Sequence, residues 1–362
     1  MKLAESLGGR NNNLNLIRLI AAYGVLVSHS FPLALGRGAI EPPGASLGMS
    51  LGSICVDIFF FISGFLVTGS LLARQSTTQF LWARALRIYP ALLVMLVLTV
   101  GGLGLFISPL PVADFFSSPV TAKYFLYCLT LINDVRYELP GVFVDNPYSG
   151  AVNGSLWTMP YEVRLYLILA LAWAAYRMTG PRRAALFRLT VAFGTLGFGF
   201  LYFSGRLGAA GSSSPFFHLA FMFMSGASYF FLRKHIVLSG RIALALAVAL
   251  VAAAYAGHDV FFVVYSLCIG YLLLYLAYVP AGFIRRYNRF GDYSYGVYIY
   301  AFPVQQTVAA LNPGIGVLEM VLVASLFTLM LAILSWHFVE ERALSFKHVS
   351  LRKPSRLMAA EG

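Results

Sequence analysis

The stretch NLIRLIAAYGVLVSHSF, residues 15–31, sets the reading of the whole chain. It is a membrane-length apolar segment that nevertheless carries Arg18 and His29, and polar groups of that kind inside a span are expensive and functional by default. At about 100° per residue, eleven steps make three turns and a small remainder. Arg18, Ala22, Val25 and His29 therefore fall on one helix face, with the two polar ends roughly 16 Å apart. Counted inward from Leu16, His29 lies roughly 20 Å into a core of about 30 Å, nearer the external surface, while Arg18 stays at the cytoplasmic edge. Taken singly, Arg18 reads as a snorkelling anchor and His29 as a hydrogen-bonded core histidine. On one face they read as a basic anchor at one depth and a proton-transfer group at another.

Apolar runs of similar length recur along the 362 residues, of which 59% are hydrophobic and only 11% charged. A soluble chain would lack the polar surface to cover such a core. The expected fold is an all-α polytopic membrane protein with about ten transmembrane helices, near 15–35, 50–73, 84–108, 155–177, 185–204, 215–233, 240–257, 260–279, 293–311 and 316–338. Basic residues gather in alternate loops: Lys2, Arg10 and Arg18; Arg74, Arg84 and Arg87; Arg177, Arg182, Arg183 and Arg188; Arg233, Lys234 and Arg241; Arg285, Arg286 and Arg289; and Arg342, Lys347, Arg352, Lys353 and Arg356. The opposite loops, around 36–48, 205–214, 257–259 and 311–316, carry only Arg37, Glu41, Arg206 and Asp259. The positive-inside rule therefore puts both termini in the cytoplasm. A crossing by the weaker apolar run 120–133 would break this alternation, so 109–154 is read as one longer external excursion with a re-entrant or interfacial segment.

Residues 1–14 are then a cytoplasmic N-terminal segment, 15–340 a single membrane domain, and 341–362 a basic cytoplasmic tail expected to be disordered. No A-x-A site follows the first apolar stretch, which is taken as a retained span and not a signal peptide. The net charge of +12 is mostly a topology signal, with membrane lipids or an anionic cytosolic ligand as natural partners and no nucleic-acid module. Cys55, Cys128 and Cys268 stand far apart in apolar runs, without CxxC or Cys/His spacing, so neither a disulfide framework nor a metal site is indicated.

Three further segments place polar groups within or beside spans. In VDIFFFISGFL, 56–66, Asp57 stands among aromatic and aliphatic residues and needs a partner, a proton or a polar cavity, while Ser63-Gly64 allows close helix contact. Arg84 and Arg87 are neighbours on one helix face and, with Arg18, form a cluster suited to phosphate oxygens. In NGSLWTMPYEVRLYL, 153–167, Trp157, Glu162, Arg164 and Tyr166 are expected at the outer mouth of the fourth span, with Glu162 and Tyr166 on one face at i,i+4. A carboxylate at the depth of His29 would orient its imidazole. Asn153-Gly154-Ser155 also matches a glycosylation sequon.

Together these stretches resemble the acyltransferase 3 family of integral-membrane O-acyltransferases. The resemblance rests on R-x10-H (Arg18, His29), VDIFFFISGFL, R-x-x-R (Arg84, Arg87), SLWTMPYEVRLYL, GDYSYGVYIYAFPVQQ (291–306) and the closing FVEER (338–342), in the family's order over nearly the whole chain. It implies transfer of an acyl group, usually acetyl, from cytosolic acyl-coenzyme A to a hydroxyl of a glycan or lipid-linked sugar, in a multi-pass protein of the bacterial inner membrane. Arg18, Arg84 and Arg87 would hold the phosphates of acetyl-CoA. His29 would act as general base or as nucleophile, with Glu162 or Asp57 fixing its tautomer, and Trp157, Tyr161, Tyr166 and Ser63 would lie on the substrate side. One departure stands out: many members carry a histidine after the SYGVYIY-like stretch, where this chain has Ala301 followed by Phe302. No esterase-like domain follows Glu340, so a stand-alone form is expected, with homo-oligomers or polysaccharide-assembly proteins as further partners. The rival readings are a glycan or lipid transporter or flippase, which predicts broken mid-membrane helices, for instance at GVYIYAFP, and a non-catalytic subunit of envelope polysaccharide assembly.

Overall fold

The computed structural model describes residues 1–7, 11–74, 76–208, 211 and 213–348; Arg10 and the basic residues Arg352, Lys353 and Arg356 of the tail lie outside the described residues. Unbroken apolar runs with few interior breakers become helices, and among the described residues extended pairing is limited to a bridge between Lys2 and Val237. In chain order the α-helices are α1 (Leu14–Leu35), α2 (Pro42–Leu47), α3 (Leu51–Arg74), α4 (Thr77–Phe106), α5 (Val112–Ser117), α6 (Pro119–Thr130), α7 (Met159–Ala175), α8 (Arg183–Leu207), α9 (Pro215–Leu232), α10 (Gly240–Ala256), α11 (His258–Tyr278), α12 (Ser294–Leu311), α13 (Val317–Ser335) and α14 (Glu341–Ser345). The long helices coincide with the apolar segments of the sequence. Seven of them, α1, α3, α4, α8, α9, α11 and α13 with its continuation to Ser345, are long and apolar enough to cross a membrane. The protein is an integral membrane protein of all-α architecture. Apolar stripes at helical spacing, such as Leu189, Phe193, Leu196 and Phe200 on α8, stay exposed, as a lipid-facing surface requires.

Hydrogen bonds sort the loops into two ends, in the same grouping as the charge count. At one end Leu3 donates to the carbonyl of Ile236, and the Asn13 amide donates to the carbonyls of Leu276 and Pro280. At the other, Ser28 donates to Glu41, Arg37 to the carbonyl of Ser149, and Asn146 to Gln306. The weak run 120–133 forms α6, whose 12 residues reach only about 18 Å, too short for a core of about 30 Å. Residues 341–348, expected to be disordered, are helical, and the Trp82 indole donates to the carbonyl of Phe346. The Asn153 of the sequon is fully buried and donates to the carbonyl of Ile299, so it is no glycan acceptor in this fold.

Two contacts set the register of the site-bearing helices. A side chain at Gly64 of α3 would overlap the Phe223 carbonyl of α9, and one at Gly226 of α9 would overlap the Phe61 carbonyl of α3, so these helices approach backbone to backbone. Gly24 of α1 faces Cys55, and Ser28 faces Gly52. That antiparallel register puts His29 opposite the start of α3. Asp57, six residues further along, lies about 9 Å deeper. α12 lies in the middle of the bundle against α1, α4 and α13, buried over most of its length, and runs through Pro303 without a break. The discontinuity that a transporter would need at GVYIYAFP is therefore missing.

Gly226→Leu should force α3 and α9 apart and lower the yield of monodisperse protein in detergent several-fold. Gly197→Leu, on α8 with open space around it, should leave that yield unchanged.

Candidate active site

Arg18 of α1 and Arg87 of α4 converge on one carboxylate, Asp292, in the turn before α12. Arg18 Nη1 lies 2.5 Å and Arg87 Nη2 2.7 Å from Asp292 Oδ2, and Arg87 Nη1 lies 3.0 Å from Glu340 Oε2. Ser294 Oγ donates to Asp292 Oδ1 at 2.5 Å and Ser335 Oγ to Glu340 Oε1 at 3.1 Å, so the acceptor sites left over are filled too. Glu340 is turned inward by a π-helical turn, Trp336–Glu340, at the end of α13. Burial works against charge on Asp292, but Arg18, Arg87 and the Ser294 hydrogen bonds hold its carboxyl down at about 2. These two carboxylates stand in the GDYSYG and FVEER segments; sequence reading quoted the segments and gave the acids no role. A pair of span-embedded arginines without acidic partners was the signal that called for them.

The three predicted arginines line one narrow cavity of about 100 Å³ together with Ser63, Glu162, Tyr166, Thr158 and Tyr298. Arg84 takes part in no ion pair among the described residues and faces Tyr166 and Glu162. The i,i+4 spacing of Glu162 and Tyr166 does bring them together: the phenol donates to Glu162 Oε1, and Ser63 Oγ lies 2.8 Å from the phenol oxygen and 3.3 Å from the carboxylate. Their depth differs from the expectation. Residues 151–158 run largely buried into the bundle before α7 begins, so Glu162 faces the arginines instead of standing at an outer mouth beside His29.

His29 lines a second cavity with Val25, Ser28, Ser53, Trp157, Tyr298 and His218. Its ring meets Phe302 edge to face, centroids 5.2 Å apart, and its Nδ1 is buried without a hydrogen-bond partner among the described residues. Phe302 thus occupies space next to the position where the family pattern carries a second histidine. Among the described residues no carboxylate reaches His29. The expected orienter Asp57, fully buried, instead lies 2.5 Å from His218 Nε2 and accepts the Tyr265 hydroxyl at 3.1 Å. The helix register explains this, since His29 lies about 9 Å above Asp57 while His218, near the start of α9, is level with it. His218 escaped sequence reading because a lone histidine in PFFHLAFMF carries no local signal. The two cavities share Val56 and Tyr298 as walls. Trp157 then belongs both to the His29 cavity and to a wide groove lined by Arg37, Lys123, Arg136, Tyr137 and Tyr148. Tyr161 supports it, its ring 5.9 Å from that of Trp157.

A sequence model of the family described as "Acyltransferase domain" matches residues 11–338. The chain belongs to this acyltransferase family. The acyltransferase is 31% identical over 339 residues to the O-acetyl transferase of Shigella phage Sf6, across 93% of this chain and 97% of that protein. It is 27% identical over 376 residues to Nodulation protein 10 of Rhizobium leguminosarum bv. viciae, across 95% and 96% of the two chains. No solved structure matches. The enzyme performs O-acyl transfer, and the likeness to an O-acetyl transferase over nearly its whole length supports acetyl as the group moved.

Removing Arg87 from the acyltransferase would strand Glu340 and half-strand Asp292, which for buried pairs costs about 3–5 kcal/mol. Arg87→Ala should therefore lower the unfolding temperature in detergent far more than Arg84→Ala. Asp292 has a depressed carboxyl, so its stabilisation is complete above its ordinary value near 3.8 and is lost as pH falls through about 2. Asp292→Asn should unfold more readily at neutral pH and lack this acid-dependent loss in a thermal series.

Proposed function

We propose that the protein moves an acetyl group from acetyl-coenzyme A, bound from the cytoplasmic end, to a hydroxyl of a cell-envelope glycan or lipid-linked sugar that enters from the external end. The single observation behind this reading is the run of adjoining spaces: arginine cavity, His29 cavity, external groove, with Val56 and Tyr298 between the first two and Trp157 between the last two. Coenzyme A has phosphates at one end and a thin arm ending in the thioester at the other. The first cavity offers arginines to the phosphate end, and His29 stands in the adjoining cavity, where the acyl carbon would arrive.

The arginines divide the work on this reading. Arg18 and Arg87 already have carboxylate partners and hold the cavity in shape, while Arg84, which faces Tyr166 and Glu162 and makes no ion pair among the described residues, binds a phosphate oxygen with a charge-assisted bond. Glu162, Tyr166 and Ser63 line the passage and position the donor arm. In the groove, aromatic faces with Arg37, Lys123 and Arg136 suit a saccharide carrying acidic or phosphate groups. Basic residues on the external side run against the positive-inside tendency, which favours a ligand for them. The bacterial inner membrane, where acetyl-CoA and envelope glycans meet, fits both ends.

His29→Ala should yield a folded protein that transfers less than a tenth of the acetyl moved by wild type from radiolabelled acetyl-CoA. Arg84→Ala should chiefly raise the KM for acetyl-CoA with kcat little changed. In oriented vesicles a non-permeant coenzyme A analogue should inhibit from the cytoplasmic face alone; inhibition restricted to the external face would reverse the assignment of ends.

A further inference from the structure

Of the two histidines that line the transfer cavity, only His218 has the surroundings of a base. Its Nε2 lies 2.5 Å from Asp57 Oδ1, and its ring stacks flat on Tyr202 with centroids 4.5 Å apart and planes 7° from parallel. Asp57 is itself fixed by the Tyr265 hydroxyl on its second oxygen. The close α3–α9 crossing at Gly64 and Gly226 holds acid and imidazole in register. The pair meets at ion-pair distance and is not aligned as a hydrogen bond, but a carboxylate this close to Nε2 favours a proton on that nitrogen and leaves the other, Nδ1, as the acceptor. The His218 side chain keeps 15% of its surface exposed while lining the cavity, so the ring is both anchored and accessible. A carboxylate fully buried in a membrane bundle with an imidazole at ion-pair distance is a costly arrangement, and packing alone does not call for it.

We infer that His218, aimed by Asp57, takes the proton from the acceptor hydroxyl. Nδ1 accepts the hydroxyl proton as the hydroxyl oxygen forms its bond to the acyl carbon. The carbon–sulfur bond breaks with its electron pair leaving on the coenzyme A thiolate, and the imidazolium then passes its proton to solvent at the external end. His29, without a carboxylate, is left to the acyl carbonyl. His218 is the catalytic residue in this scheme and Asp57 a positioning residue. The inference rests on the reading of the cavities as the acyl-transfer path.

The test uses the full-length protein in membrane vesicles of the expressing strain, with radiolabelled acetyl-CoA as donor and alkali-labile label in envelope glycan as readout. His218→Gln should lower kcat about 100-fold or more, the usual worth of a general base, with the KM for acetyl-CoA within about twofold of wild type. Asp57→Asn should lower kcat in the same way. The double variant should fall no further than His218→Gln, because the pair acts as a unit, and Asp57→Glu should recover part of the rate. Unfolding temperatures separate these effects from loss of fold; should His218→Gln fold poorly, the double variant, which strands no charge, gives the same kinetic comparison. A folded His218→Gln protein within threefold of wild-type kcat, or a defect confined to KM, would overturn the inference. A double variant well below either single one would remove Asp57 from the role given to it. If His218→Gln is active while His29→Ala is dead, only this inference fails; if both are fully active, the cavity reading itself fails.

Discussion

Everything in this bundle is arranged around the neutralisation of two guanidiniums in a low-dielectric interior. Arg18 and Arg87 would be hard to hold there alone, and each is matched by a carboxylate that is itself nearly inaccessible, Asp292 at 7% exposure and Glu340 at 2%. Two positive and two negative groups, with serine hydroxyls filling the remaining acceptor sites, make a network with no uncompensated charge. It ties α1, α4, the head of α12 and the end of α13 at one point. The stacking of Arg87 near Tyr295 and Trp336, and the Tyr295 hydroxyl on the Ile88 carbonyl, lock the same point from the apolar side.

Fixing that end of the bundle fixes the cavity above it. Arg84 sits three residues before Arg87 on the same face of α4, so whatever anchors Arg87 also aims Arg84 at Tyr166 and Glu162. The central position of α12 has a similar effect further up. Asn153 and Thr158 both bond to it, through the Ile299 carbonyl and the Tyr298 hydroxyl, which carries the segment before α7 into the bundle and sets Trp157 beside His29. Structural polar contacts and candidate chemical groups are thus neighbours on the same helices.

Much of this was legible in the sequence. The positions of the long helices follow from apolar runs alone, and the gathering of Arg18, Arg84 and Arg87 around one space, like the contact of Glu162 with Tyr166, follows from helical spacing. What stayed hidden depends on contacts between distant segments. Nothing near Asp57 says that its partner is 161 positions later on α9 instead of on α1; that choice is made by glycines at the α3–α9 crossing and by the register of α1 on α3. The depth of Glu162 was misjudged because residues 151–158 have the composition of a surface loop and yet descend into the core. Asp292 and Glu340 were quoted within motifs, but their pairing with Arg18 and Arg87 joins residues 274, 205 and 253 positions apart, beyond any local pattern.

Those separations also bear on how the protein is made. A ribosome delivers Arg18 with the first helix, Arg87 with the third, and Asp292 and Glu340 only after nearly all the rest of the bundle has been threaded into the bilayer. Through most of synthesis the two guanidiniums therefore have no carboxylate to meet and must wait near headgroups or water. Closure of the network is a final event, and it gives the cell a simple criterion of completion. A chain interrupted before Asp292 keeps unpaired arginines on α1 and α4, the kind of exposed intramembrane charge by which an unfinished protein differs from a finished one.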